Sequence, residues 1–466
     1  MLKRNSKLIL VVLMVALLGL NGLAFAAKAT KAPKYVFYFV GDGLGASQRQ
    51  AAEYFMQVKN DDKDLKLVMN QFPVAGMNTT HSADTLVTDS AAAGTALASG
   101  HKTGNGMIAM LPNGEPVKTL VEAANEKGMG TGVVSTMRLT HATPASFVAH
   151  NPSRYNANDI ALDLVKSDVD YFAGGGYRHF LPKGSKHGSK RKDDKNLVKE
   201  FYNKGYKTFV TEAATPKFRT YKPAAEDKVF AAFTYSHLPY DIDRSEKLPS
   251  LAEMTEKGIQ HLSQKENGFF MMVEGGRIDY AAHANDPAGV IHDVLALDKA
   301  IERAYDFYKK HPEETLIVVV GDHETGGFGL GFGNDYFLKM EQLLDVKASM
   351  DMVGYDGDRE ALYQTLADKF GLNDLTDEEK AQIEKAMDMD DNGKNVPNGP
   401  SWMSPVNATV AHIISERVNV QWTTWAHTGT SIPLSAVGAS AESFGGYKDN
   451  TELAKTMANI LGLELD

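Results

Sequence analysis

Three short apolar runs, at 35–40, 268–273 and 315–320, are rich in β-branched and aromatic residues and are bounded by Gly, Asp or Glu, the pattern of strands. The apolar spacing around them predicts helices over 251–264 and 286–309. Strand-like and helical stretches also alternate through the first third of the chain. This alternation predicts an α/β fold, a doubly wound central sheet with helices on both faces. No internal repeat is apparent.

Two segments break the alternation. The first, 183–195, reads KGSKHGSKRKDDK and has no apolar periodicity, so a mobile surface loop is expected. It is either a solvated charged face or, if it lies near the mouth of a site, an attractor of anions. The second, about 334–418, is a long insertion with its own helical stretches. One of these, 376–387, begins with a capping box made by Thr376 and Glu379. Within it, 388–393 (DMDDNG) matches the first half of a calcium loop, but the twelfth position is Gly399 instead of the Glu that such a loop needs. A polar turn after a helix is the favoured reading, with Ca2+ at 388–393 the secondary one.

The chain of 466 residues is 43% hydrophobic, which supports one large core with insertions over a string of small domains. It opens on the basic MLKRNSK, followed by an apolar run over 8–20 and the triplet Ala24-Phe25-Ala26. The run is too short to span a bilayer, so a signal peptide over 1–26 is expected, cleaved after Ala26, with no stable membrane anchor. The product would be periplasmic or secreted. There is no cysteine, so neither a disulfide nor a lipid-modified Cys is available, and stability must come from packing and bound metal. The net charge of −10 becomes more negative once Lys3, Arg4 and Lys7 are removed. Such a chain is not built around nucleic acid as its main partner, and an anionic substrate must be drawn in by local positive charge.

Several segments carry candidate chemistry. In VTDSAAAGTA, Ser90 follows Asp89 at the start of an Ala-rich run, where a helix N-terminus favours an anion. Acidic residues and histidines at ligand spacing occur in FVGDG around Asp42, in VEGGRIDYAAH (273–283), in VVVGDHETGG (318–327) and in WAHTG around His427. Strands ending in such residues deliver them to one edge of a sheet, where open α/β folds bind ligands. Asp279 and His283, four apart, share a face if the segment is helical. Nitrogen and carboxylate donors without thiolate suit zinc in a catalytic site.

Taken together and in order, these motifs resemble those of the bacterial alkaline phosphatases, from about residue 35 to the end. Asp89-Ser90-Ala91-Ala92 matches the family's nucleophile motif and Gly41-Asp42-Gly43 its first metal motif. Thr143, Pro144 and Arg154 match its Thr-Pro and downstream Arg element. Glu274, Asp279 and His283, the pair Asp322-His323, and His427-Thr428-Gly429 complete the set. The resemblance implies an alkaline-phosphatase-like fold whose insertion forms a crown-like subdomain over the site. It implies two Zn2+ and one Mg2+ per chain: Asp279, His283 and His427 on one zinc, Asp42, Asp322 and His323 on the other, and Asp42, Thr143 and Glu274 on magnesium. Ser90 is then the nucleophile that becomes phosphoserine, and Arg154 clamps the phosphoryl group of small phosphate monoesters with broad tolerance of the leaving group. A homodimer is the family expectation.

Two positions depart from the best-known bacterial pattern. His141 stands where that pattern has Asp, and Tyr280 where it has Lys; both replaced residues lie around magnesium and phosphate, so metal preference and product release are expected to differ. A sulfatase would need Pro and Arg after its nucleophile, but Ser90 is followed by Ala91-Ala92-Ala93-Gly94. A related phosphodiesterase would commonly carry a Thr nucleophile and lack the magnesium set. A phosphate-binding protein without turnover would have no use for three metal sites.

Overall fold

The computed structural model describes residues 32–465; the expected signal peptide and its cleavage site at Ala26 lie outside them. A ten-stranded mixed sheet forms the centre. Its strands are β1 (Tyr35–Gly41), β2 (Val74–Asn78), β3 (Gly130–Arg138), β4 (Tyr171–Gly175), β5 (Tyr206–Val210), β6 (Lys228–Ala232), β7 (Phe269–Gly275), β8 (Thr315–Gly321), β11 (Ile432–Gly438) and β12 (Gly446–Lys448). A separate two-stranded ribbon pairs β9 (Glu324–Thr325) with β10 (His427–Thr428). Strand order across the large sheet is β12-β2-β11-β8-β1-β7-β3-β4-β6-β5.

Alternation along the central strand explains the two-sided packing. Tyr35, Phe37 and Phe39 face one hydrophobic core and Val36, Tyr38 and Val40 the other, because successive strand side chains point to opposite faces. Helices Ala46–Asn60, Leu251–Leu262 and Pro287–Lys310 contribute to the first core. Helices Ser90–Ser99, Leu120–Glu126, Ala157–Lys166 and Asn450–Leu461 contribute to the second. The two helices read from sequence are present with shifted ends, and Asp286 caps the longer one by accepting from the Gly289 amide at 2.9 Å.

The sheet departs from an all-parallel one at β11, which runs antiparallel to both β8 and β2. The cause is the ribbon: β8 delivers the chain to one edge of the sheet, the β9/β10 pairing returns it there after the insertion, and β11 must start from that same edge. The insertion does not form a core of its own. Its Leu362, Leu366, Ile383, Met387, Val410 and Ile414 belong to the same buried cluster as Phe37 and Phe39. Among the described residues no helix is long and apolar enough to cross a membrane.

Candidate metal centre

β8, β1, β7 and β3 are adjacent and mutually parallel, so their C-terminal ends share one edge of the sheet. That edge collects the candidate residues. Asp42 follows β1 directly, Asp322 and His323 follow β8, Glu274 lies near the end of β7, and His141 and Thr143 follow β3. Helix Arg277–His283 places Asp279 and His283 on one face, with Asp279 Oδ1 3.4 Å from His283 Nε2. The β9/β10 ribbon brings in His427, whose Nε2 is also 3.4 Å from Asp279 Oδ1. Gly43 is required where it stands: its φ is +76°, and a Cβ there would lie 2.8 Å from the Asp279 Cα.

Three donor groups result: Asp279 with His323 and His427, Asp42 with Asp322 and His323, and Asp42 with His141 and Glu274. Thr143 Oγ1 is 3.3 Å from Asp42 Oδ2, beside the third group. The hydrogen bonds around the histidines fix their tautomers. His427 Nδ1 donates to the Thr88 carbonyl at 2.8 Å, and His283 Nδ1 donates to the Trp425 carbonyl at 2.6 Å. Thr325 donates its hydroxyl proton to Asp279 Oδ1 at 2.6 Å, so its oxygen accepts from His323 Nδ1 at 3.2 Å. With Nδ1 engaged, each imidazole turns its Nε2 inward, the nitrogen left for a metal to take. His283 Nε2 and His427 Nε2 lie 3.1 Å apart, where two lone pairs repel unless a proton or a cation stands between them.

The carboxylates tell the same story. Asp42 Oδ1, Glu274 Oε1 and Asp322 Oδ2 are buried without a hydrogen-bond partner. Burial, with Asp322 and Asp279 nearby, holds the Asp42 carboxyl well above its ordinary range. Burial pushes Glu274 up to about 8 and Asp322 up to about 7. At Asp279 burial would raise the carboxyl, but His283 and His427 outweigh it and bring it well below the usual range. A buried crowd of acids is costly unless cations balance it.

Ser90 is the first residue of helix Ser90–Ser99, capped by Asp89 through the Ala92 amide at 2.9 Å, and its Oγ lies 3.2 Å from His323 Nε2. Asp89 Oδ2 also receives the Arg154 Nη1 proton at 2.9 Å. Arg154 Nη2 donates to His141 Nε2 at 3.3 Å. Because arginine only donates, that His141 nitrogen accepts, and burial with Arg154 and Arg138 keeps the imidazole neutral, its pKa well below the ordinary value.

The model of the alkaline phosphatase family matches residues 33–463. The chain belongs to the alkaline phosphatase family. Alkaline phosphatase 3 of Bacillus subtilis is 36% identical over 444 residues, covering 92% of this chain and 89% of that protein. The Thermus thermophilus alkaline phosphatase superposes with a TM-score of 0.82 at 31% identity, covering 93% of this chain and 92% of the other. An alkaline phosphatase from an Antarctic bacterium, 27% identical with a TM-score of 0.65 and covering 93% and 99% of the two chains, has been solved as a His-to-Asp variant with Mg bound in its M3 site.

Two residues outside the motifs also support this alkaline phosphatase site. Ser135 donates to Glu274 Oε2, and Thr325 orients both Asp279 and His323. Thr325 stands two residues after His323 in DHET, but a lone Thr carries no sequence signal. His141, expected only to support the third group, brings a ring nitrogen within 4.8 Å of its carboxylate oxygens. Its ring is edge-on to Tyr280 at 5.8 Å and to His237 at 5.4 Å.

Two expectations are corrected. The calcium reading fails because helix Asp377–Asp391 runs through Asp388 and Asp390, so no loop forms there. Its carboxylates are already engaged: Arg359 binds Asp388 and Asp391, and the Val406 amide binds Asp390. The basic segment 183–195 is the surface loop expected, without helix or strand, but it is not an anion attractor at the mouth of the site. Buried Arg191 ties it down through the carbonyls of Asn158 and His179, and none of its residues lines the cavity over the site.

Proposed function

We propose that this alkaline phosphatase is an exported homodimeric enzyme that hydrolyses small phosphate monoesters through a phosphoserine on Ser90, with two Zn2+ and one Mg2+ per chain. The observation that carries the metal reading is the pair of imidazole Nε2 atoms 3.1 Å apart beside Asp279, together with buried carboxylate oxygens that lack partners. Asp279, His283 and His427 would hold one zinc, and Asp42, Asp322 and His323 the other. Asp42, Thr143 and Glu274 would hold magnesium. Bound zinc would lower the pKa of the Ser90 hydroxyl and stabilise the departing alkoxide.

The chain's own groups do the rest. Ser90 Oγ, aimed by its place at the helix start, gives up its proton and attacks phosphorus as the bond to the leaving oxygen breaks, and that oxygen takes up a proton from solvent to depart as the alcohol. Water then attacks the phosphoserine on the opposite side, the Oγ–P bond breaks, and phosphate leaves. Arg154 grips two phosphoryl oxygens with its planar fork, and Asp89 holds that fork in place at 2.9 Å. Grip on the phosphoryl group leaves the alcohol free to vary. Residues of the insertion, among them Met350, Trp402 and Asn407, line the same cavity of about 630 Å³ as Asp279, Tyr280 and His283, which supports a crown-like role over the site. Steady turnover of a chromogenic phosphate monoester, with the matching diester and sulfate ester turned over far more slowly, tests this function; a preference for either alternative ester would overturn it.

Two further outcomes are expected. Arg154→Ala should weaken substrate and inorganic phosphate binding about 30-fold, with Arg154→Lys recovering only part, because a point charge cannot reproduce the fork. Product-inhibition constants read this directly, and an unchanged constant would place the clamp elsewhere. At the third site, neutral His141 offers less to a hard cation than a carboxylate does. The magnesium held by the Antarctic enzyme's His-to-Asp variant supports the same logic here. The double change His141→Asp with Tyr280→Lys should tighten magnesium and phosphate about tenfold each and slow turnover where product release limits it. Magnesium titration after chelation and phosphate inhibition would both stay unchanged if these positions do not tune the site.

A further inference from the structure

One cation in the cavity over the site is left out of the reaction just described. Arg277 opens the helix that carries Asp279 and His283, and it lines the cavity with them. It is 6% exposed, and its guanidinium lies 3.6 Å from the centroid of the buried Tyr240 ring and 5.3 Å from that of Tyr280. Among the described residues its side chain makes a single hydrogen bond, from Nη2 to Asp351 Oδ2 at 3.3 Å, and its Nε is buried with no acceptor. Asp351 is a loose partner, since its side chain is 65% exposed. No hydrogen bond or ion pair joins Asp293 to it: burial raises the Asp293 carboxyl more than the nearby Arg277 lowers it. A buried guanidinium with unused donors costs stability unless something fills them.

Arg277 is linked to the reacting centre by packed rings. Arg154 contacts His141, His141 packs edge-on against Tyr280, and Tyr280 lies beneath the Arg277 guanidinium. The two arginines therefore lie at opposite ends of one short stack, Arg154 at the Ser90 end and Arg277 beside the cavity where the leaving group must lie. We infer that Arg277 is a specificity residue, an anion subsite that binds a second acidic group, phosphate or carboxylate, on the leaving group of the phosphate ester. Asp351 occupies that place in its absence and yields to the incoming anion. Tyr240 and Tyr280 lie against the guanidinium and hold it at the cavity wall in advance, which lowers the ordering cost of binding. This inference rests on the phosphomonoesterase reading above.

The test compares propane-1,3-diol monophosphate, whose leaving group is neutral, with 3-phosphoglycerate and propane-1,3-diol bisphosphate, using the full-length enzyme. The quantity read is the ratio of kcat/KM for each acidic ester to that for the neutral one. Arg277→Met, which keeps the length and apolar packing, should lower both ratios about tenfold. Asp351→Asn should raise them about threefold, because the competing carboxylate is gone while the guanidinium remains. A drop confined to one acidic ester identifies which anion the subsite takes. Should Arg277→Met fail to fold, the Asp351→Asn ratio decides alone: a structural clamp between the insertion and the helix would lower the melting temperature and leave the ratio where it was. Turnover of all three esters with ratios unmoved in the variants overturns the subsite and leaves the phosphatase reading intact. Absence of monoester turnover in the wild type overturns both.

Discussion

Replacing Ser90 with alanine is expected to lower kcat/KM for a monoester by at least about a thousandfold, or about 4 kcal/mol of barrier, while the fold and the metal content stay as they are. Ser90 is 1% exposed, it heads a helix whose cap is Asp89 and not Ser90 itself, and removal of its hydroxyl leaves no buried partner stranded apart from His323 Nε2. Acid quench during turnover of a labelled ester should leave the label on Ser90 in the wild type and none in the variant. Label at any other residue would move the nucleophile.

Asp42→Asn is expected to be as damaging by a different route. Asp42 belongs to two of the three donor groups, its Oδ1 lies 3.3 Å from His323 Nε2, and its Oδ2 accepts from Thr143. An amide of the same shape removes the negative charge shared by both, so at least one ion per chain should be lost on dialysis and kcat/KM should fall about a thousandfold. Both are measured on one sample, by elemental analysis and by initial rates. Metal content and rate within twofold of the wild type would show that Asp42 does not bridge the two ions.

Much of this site is legible in the sequence because the residues follow strands. Asp42, Glu274, Asp322 and His323 each come at the end of an apolar run, and parallel neighbours carry such residues to a common edge whatever fills the rest of the chain. The i, i+4 spacing of Asp279 and His283 is likewise local information, and the helix is there. What the pattern does not reveal depends on contacts distant in sequence. The antiparallel course of β11 is set by the β9/β10 ribbon, two residues on each strand, too short to leave a periodic signal. The insertion looks separable in sequence, yet its apolar faces complete the core of the main sheet. Segment 183–195 looks free because its charges dominate the composition, while one of them, Arg191, is buried and holds it in place. The acidic run at 388–393 looks like a cation loop because a helix end and a loop start share the same residue types. Thr325, Ser135 and Arg277 each meet a partner far along the chain, Asp279, Glu274 and Asp351 respectively, and no spacing rule points to them.

If the inward-facing nitrogens and carboxylates hold metal ions, turnover should depend on those ions. Elemental analysis of the purified protein, repeated after dialysis against a chelator and after metal is returned, tests it most directly. The expected result is two zinc and one magnesium per chain in the active enzyme, loss of activity with loss of zinc, and recovery when both metals are restored. A chain that remains fully active with less than one metal ion bound would contradict it.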